Sequence, residues 1–184
     1  MQGKLDTLKK GDVLILAGSI PASLPDSIYS DIMERLEGKG VMIVVDATKD
    51  LLVNVLKYHP FLIKPNNHEL GDIFGAEIKE RDQAAPYAKK LQEMGARNVL
   101  VSMAGKGAVL LAEDGSIYES PAPKGKLINA VGAGDSMVAG FTAGYIQKGS
   151  YEHAFKMGVS TGSASAFSEG FATKEEVEAI YKTL

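Results

Sequence analysis

The chain has no cysteine, which excludes disulfides and thiolate metal sites and fits a reducing compartment. Its histidines, His59, His68 and His153, fall at no spacing that suits a metal ion and read as surface or structural residues. Positive charge is not in excess: 20 Lys and Arg stand against 23 Asp and Glu, a formal net charge of -3. No Lys/Arg cluster stands out locally, so a nucleic-acid partner is not expected. No apolar run approaches the roughly 20 residues that span a bilayer; the longest, around VMIVV, is strand-sized. The opening MQGKLDTLKKGD holds no apolar stretch of the signal-peptide kind. The expectation is a soluble cytoplasmic protein with neither a membrane nor a nucleic acid as partner.

What the sequence does contain is alternation. At 184 residues, 45% hydrophobic and 23% charged, it suits one domain over residues 1–184. VLILAG (Val13–Gly18) reads as a buried strand, and Ser27–Glu37 has helical spacing at Ile28, Ile32 and Leu36. VMIVVDA (Val41–Ala47) is a second strand, followed by a helical Lys49–Lys57, and FLIKPN (Phe61–Asn66) is a third. Asp82–Met94 is a helix stopped by Gly95, and NVLVSMAG (Asn98–Gly105) is a fourth strand. Continuous apolar runs separated by helices predict an α/β fold whose parallel sheet is covered on both faces. GAVLLAEDGSIYESP then carries two apolar runs around Asp114-Gly115, a hairpin signal. Three helical segments close the chain: Gly134–Lys148, Tyr151–Ser168 and Lys174–Lys182. The methionines suit core filling.

The segment NAVGAGDSM (Asn129–Met137) stands directly before the first of those helices. Backbone N–H groups at a helix start have no intrahelical acceptor and attract anions, and glycine lets a phosphate approach closely. Asp135 cannot be a phosphate ligand, because the two charges repel. It can be a general base that takes a proton from a hydroxyl about to attack a phosphoryl group, or it can simply cap the helix. No Gly-Lys-Ser/Thr follows, so the loop is not of the Walker type, and no GxGxxG follows the first strand.

Other loops fall at the same sheet edge. KPNNHEL places Asn66 and Glu69 three residues apart where a strand feeds a helix; the pair suits a hydrated Mg²⁺ with a phosphate, and equally a helix cap. VSMAGKGA offers Ser102, Gly105 and Gly107 to a nucleotide at the carboxyl ends of the strands, with Lys106 able to steer phosphates; a plain strand-to-hairpin turn would look the same. GSIPASLP follows the first strand, and Asp46 ends the second.

In their order, GSIP, VVDAT, KPNNHE, VSMAGKGA and NAVGAGDSM resemble the PfkB carbohydrate kinases, and NAVGAGDSM resembles that family's C-terminal signature. Within the family, GAGDSMVAGF and SASAFSEGFATKEEVE are most similar to the bacterial 1-phosphofructokinase branch, with tagatose-6-phosphate kinase and the minor 6-phosphofructokinase nearby. The resemblance implies a three-layer ribokinase-like, Rossmann-like sheet and an ATP-dependent, Mg²⁺-assisted phosphotransferase acting on a sugar phosphate. It implies Asp135 as the catalytic base and the amides of Gly132, Ala133 and Gly134 as the anion hole. It implies Ser102, Met103, Ala104, Gly105, Lys106 and Gly107 as ATP contacts, joined by Gly134 and Asp135, and Asn66 and Glu69 as organisers of Mg²⁺ and phosphate. The late helices, around Ser163–Phe167, would add to the adenine pocket.

The resemblance begins part-way into the family's pattern, without its early glycine pair, sugar-gripping Asp and lid strands. The expectation is therefore a C-terminal nucleotide-binding and catalytic portion, with an exposed sheet edge prone to self-association. The isolated chain is expected to bind nucleotide without turnover. The kinase, either 1-phosphofructokinase-like or a tagatose-6-phosphate or other sugar kinase, is assigned to the intact protein, for which the resemblance allows a homodimer.

Overall fold

The computed structural model describes residues 2–184. The apolar runs form strands β1 (Val13–Ala17), β2 (Met42–Asp46), β3 (Leu62–Ile63) and β4 (Asn98–Ser102). The Asp114-Gly115 turn joins β5 (Ala108–Leu111) to β6 (Ile117–Ser120). The six strands lie in chain order in one sheet. β1 to β4 pair in parallel, and β5 and β6 extend the sheet as an antiparallel hairpin.

The helices are α1 (Gln2–Asp6), α2 (Ile28–Leu36), α3 (Lys49–Val55), α4 (Asn67–Phe74) and α5 (Arg81–Glu93), then α6 (Ala133–Lys148), α7 (Tyr151–Ala166) and α8 (Lys174–Tyr181). Successive parallel strands joined by right-handed crossovers put their connecting helices on one face. Alternate strand residues accordingly separate into two cores. Val45, Ile63, Val99 and Val101 pack with Met33, Leu52, Leu70 and Leu91 of α2 to α5. Val44, Leu62, Leu100 and Leu110 pack with Val138, Phe141, Phe155 and Val159 of α6 and α7. Fully burying each such side chain contributes about 1.5–3 kcal/mol. The result is the three-layer sheet with helices on both faces.

Two strands are shorter than the sequence suggests. Asn98–Gly105 reads as one strand, but β4 ends at Ser102 and the chain turns into a 3-10 helix over Ala104–Lys106. β3 keeps only Leu62–Ile63. Phe61–Asn66 reads as continuous, yet regular pairing stops after Ile63 because Pro65 has no N–H to give the ladder. The chain stays beside its neighbour nonetheless: Pro65 O accepts from Ser102 N at 3.1 Å, and Asn66 bridges Ser102. Asn66 can then turn out of the sheet and cap α4. The carboxyl ends of the parallel strands, each followed by a loop, share one sheet edge, where open α/β sheets take ligands.

Candidate active site

At that edge α6 begins without a conventional cap. Its N-cap is Gly132 at φ +78°, a left-handed conformation that glycine adopts without strain, and no side chain caps the helix. Asp135 lies exposed in the first turn and accepts no capping bond, so the bland reading of this carboxylate as a cap loses its geometric basis. Ala133 N already donates to Ala130 O at 3.2 Å and Ser136 N to Gly132 O at 2.9 Å. The N–H groups of Gly132, Gly134 and Asp135 have no acceptor among the described residues. The sequence-expected donors thus divide: Gly132 and Gly134 are free, Ala133 is engaged in a turn, and Asp135 adds its own amide.

This helix start is held from behind. Ile128 N and Asn129 N both donate to Ala166 O at the end of α7, at 2.9 and 3.1 Å. Ser165 Oγ donates to Ser136 Oγ at 2.9 Å in a buried contact between α6 and α7. Gly140 allows that close packing, since a Cβ there would run into Thr161 and the Met157 carbonyl. The Ser163–Phe167 region expected near the adenine therefore anchors the same loop, with the Phe167 ring against Gly125.

Asn66 and Glu69 form a reciprocal cap on α4. Asn66 Oδ1 accepts from Glu69 N at 2.9 Å, and Glu69 Oε2 accepts from Asn66 N at 2.8 Å. Both readings of the spacing can hold together, because capping leaves the Asn66 amide NH₂ and the second Glu69 oxygen outside the cap. No group of three or more His, Cys, Asp or Glu that could enclose a metal occurs among the described residues. A lone carboxylate oxygen suits Mg²⁺, which keeps several waters and takes much of its coordination from substrate phosphates.

The Ser102–Gly107 segment follows β4 as one turn of 3-10 helix over Ala104–Lys106. The N–H groups of Ala104 and Gly105 find no acceptor among the described residues, whereas those of Met103, Lys106 and Gly107 bond within the loop. The Met103 side chain is buried, so only its backbone can face a ligand. Lys106 Nζ is turned to Glu80 Oε1 at 2.6 Å, and Arg81 donates to Lys106 O at 2.6 Å. Ala104 sits at φ +45°, in the left-handed region a non-glycine residue seldom adopts, and strain of this kind gathers at ligand clamps.

An ion pair that no local motif announced completes the edge. Lys64 is only 6% exposed, and its Nζ lies 3.3 Å from Asp46 Oδ1. The same Nζ is 3.2 Å from the point where a Cβ on Gly134 would stand. Burial pushes the Asp46 carboxyl above the usual aspartate range; Lys64 opposes the shift, while Asp135 and Glu69 add to it. Those influences show that the carboxylates of Asp46, Glu69 and Asp135 and the Lys64 ammonium share one electrostatic neighbourhood. The available signal was a charge embedded in each of two apolar strand runs, VMIVVD and FLIK. Of the three histidines, His59 Nδ1 pairs with Gly95 O at 3.0 Å and His153 Nδ1 with the Tyr181 hydroxyl at 2.7 Å, while His68 is exposed at the surface.

Residues 1–178 match the pfkB family carbohydrate kinase domain. The 1-phosphofructokinase of Bacillus subtilis (strain 168) is 47% identical over 177 residues, covering 96% of this chain and 58% of that protein. The D-tagatose-1-phosphate kinase of Bacillus licheniformis is 30% identical, covering 95% of this chain and 58% of its own. The crystal structure of phosphofructokinase-2 from Escherichia coli in complex with substrates and products superposes with a TM-score of 0.92 at 25% identity, covering 100% of this chain and 60% of that one. The chain thus spans a little under three-fifths of the length of these curated relatives. No helix among the described residues is long and apolar enough to cross a membrane.

Proposed function

Since the chain belongs to the pfkB family of carbohydrate kinases, we propose that it is the nucleotide-binding and catalytic-base part of an ATP-dependent ketohexose-1-phosphate kinase. The favoured substrate is fructose 1-phosphate, phosphorylated at its C6 hydroxyl to give fructose 1,6-bisphosphate and ADP. The observation that carries this reading is Asp135: an exposed, non-capping carboxylate beside free helix-start amides.

Asp135 takes the proton from the C6 hydroxyl as that oxygen bonds to the γ-phosphorus and the bond to the ADP oxygen breaks. The N–H groups of Gly132, Gly134 and Asp135 receive the charge on the phosphoryl oxygens, in a direction that the helix dipole reinforces. The Ala104 and Gly105 amides face the nucleotide phosphates. The Asn66 NH₂ would donate to phosphate, and the Glu69 oxygen left outside the cap would help to hold Mg²⁺. When bound, Mg²⁺ neutralises phosphate charge and fixes the polyphosphate. A reaction that consumes ATP and a sugar phosphate takes place where those metabolites are held, so the cytoplasm is the compartment this reading implies.

A second substrate is favoured by relatives named D-tagatose-1-phosphate kinase, at 30% and 27% identity. Both sugars are ketohexoses phosphorylated at C1. A coupled ADP-release assay on the intact protein, with fructose 1-phosphate, tagatose 1-phosphate and fructose 6-phosphate, tests the reading. Highest kcat/KM on fructose 1-phosphate supports it, a preference for tagatose 1-phosphate selects the second substrate, and no turnover on any sugar phosphate removes it. For the 184-residue chain alone, calorimetric binding of ADP with Mg²⁺ is expected, and its absence would contradict the nucleotide-binding assignment.

A further inference from the structure

We propose that Gly162 and Ser165, at the carboxyl end of α7, are positioning residues for the anion site: they fix the peptide that aims the Gly134 N–H and the turn that carries Asp135. The proposal rests on the kinase reading above and extends it to a helix outside the glycine loop. Three contacts converge on the start of α6. The chain entering the turn is held by Ala166 O, which accepts from Ile128 N and Asn129 N. The chain leaving it is held by Ser165 Oγ, which donates to Ser136 Oγ at 2.9 Å, one residue beyond Asp135. Between them lies the Ala133–Gly134 peptide, whose carbonyl oxygen is 3.0 Å from the point where a Cβ on Gly162 would stand. In a planar trans peptide the C=O and N–H point in opposite directions. A carbonyl lodged against Gly162 therefore aims the Gly134 N–H out of the helix start, where it has no acceptor among the described residues. The turn is stiff within itself: Asn129 Oδ1 accepts from Val131 N at 3.0 Å and Ala130 O from Ala133 N at 3.2 Å. It moves as one piece, and α7 sets its aim.

Stability alone does not ask for these residues. Glycine is a poor helix former, yet Gly162 is buried inside α7. Ser136 and Ser165 are 8% and 6% exposed, and two alanines in their place would be nearly neutral for the fold, since no buried polar atom would then lack a partner. Direction is what the hydroxyl pair adds, because it fixes how α6 stands against α7 where two methyl groups could slide. Donors to a developing charge act only when held within about 0.5 Å of the productive place. Gly158, one turn earlier on α7, supplies an internal comparison. A Cβ there would meet Met137 O at 3.1 Å, the same kind of contact one turn farther from the site. At Gly158 the tight contact serves the packing of two helices; at Gly162 the carbonyl belongs to the peptide that supplies an anion donor.

The intact protein would be compared with its Gly162→Ala, Gly158→Ala and Ser136→Ala/Ser165→Ala variants by steady-state kinetics and thermal melts. Calorimetry would add their affinities for Mg-ADP and for Mg with the β,γ-imido analogue of ATP, which carries the phosphoryl group that ADP lacks. Each glycine variant presses one methyl group on one carbonyl, so their melts should move together. Only Gly162→Ala should lose kcat, by about tenfold relative to Gly158→Ala. Its analogue affinity should drop about fivefold while Mg-ADP affinity stays within about twofold, a split that a merely structural role would not produce. The double serine variant should show the same split with a melt close to the parent's, and it keeps the test open if Gly162→Ala does not fold. Gly162→Ala no slower than Gly158→Ala, or a double serine variant with the parent's kcat and analogue affinity, overturns the proposal. A parent protein that phosphorylates no sugar phosphate overturns the kinase reading instead, and the analogue-to-ADP affinity ratio across the variants still reports on the aim of the Gly134 N–H.

Discussion

At the scale of single residues, the decisive arrangement is a carboxylate that does no capping, beside amides that have no acceptor among the described residues. Asp135 and the glycines around it were legible in the sequence because a helix start is local: spacing alone places Gly132, Gly134 and Asp135 in one turn. The Asp46–Lys64 pair was not, since its partners come from different strands and only parallel pairing brings them within 3.3 Å. Lys106 shows the converse: its place in the loop was correctly anticipated, but its direction was set by Glu80, more than twenty positions away. Gly107 makes a testable point of its own. It holds φ +96° and ψ -134°, and a Cβ there would enter the backbone of Ser120 to Ala122. Gly107→Ala should therefore lose about 2–4 kcal/mol in chemical denaturation. A loss below about 0.5 kcal/mol would mean that the loop is not pressed against β6.

At the scale of elements, hydrophobic periodicity located α2, α3, α5 to α8, β1 and β2 to within a residue or two, and Asp114-Gly115 located the hairpin. β3 was misjudged in length because composition cannot distinguish a paired strand from an extended chain that merely continues beside its neighbour past a proline. The hairpin is tied to β4 and α7 through Glu113. Its carboxylate accepts from Arg97 Nε at 2.6 Å and from the Tyr151 hydroxyl. The hydrogen bond with Arg97, aided by the one from Tyr151, holds the Glu113 carboxyl below the usual glutamate range, while burial opposes them. The ionised form is thus favoured in the folded state. Its stability is fully present above the ordinary glutamate pKa of about 4.3 and is lost as pH falls through the lowered folded value. Glu113→Gln should lower the melting temperature at pH 7 by about 2–4 °C, equivalent to about 1 kcal/mol for this partly exposed pair. The gap to the parent should close as pH falls below about 4. A gap that persists unchanged at low pH would show that packing, not charge, holds the hairpin there.

At the scale of the molecule, α/β layering follows from alternation, whereas strand order does not, because parallel neighbours are chosen by contacts far apart in sequence. The sequential order leaves β1 and β6 as the two edges. β1 presents Ile15 at 43% exposure on that free edge strand. A long apolar edge strand invites pairing with another copy. Sedimentation of the 184-residue chain should therefore show concentration-dependent association at about 100 μM, reduced by Ile15→Lys. A monomer at that concentration, or an indifferent Ile15→Lys, would contradict it.

The central claim is that Asp135 is a base and the amides around it an anion site, two separable functions in one helix turn. Its most direct test is single-turnover phosphoryl transfer to fructose 1-phosphate by the intact protein and its Asp135→Asn variant, with Mg-ADP affinity measured alongside. The account predicts that transfer slows by about 10²–10⁴-fold while Mg-ADP affinity stays within about threefold. Transfer at close to the parent rate, or nucleotide affinity lost together with activity, would contradict it.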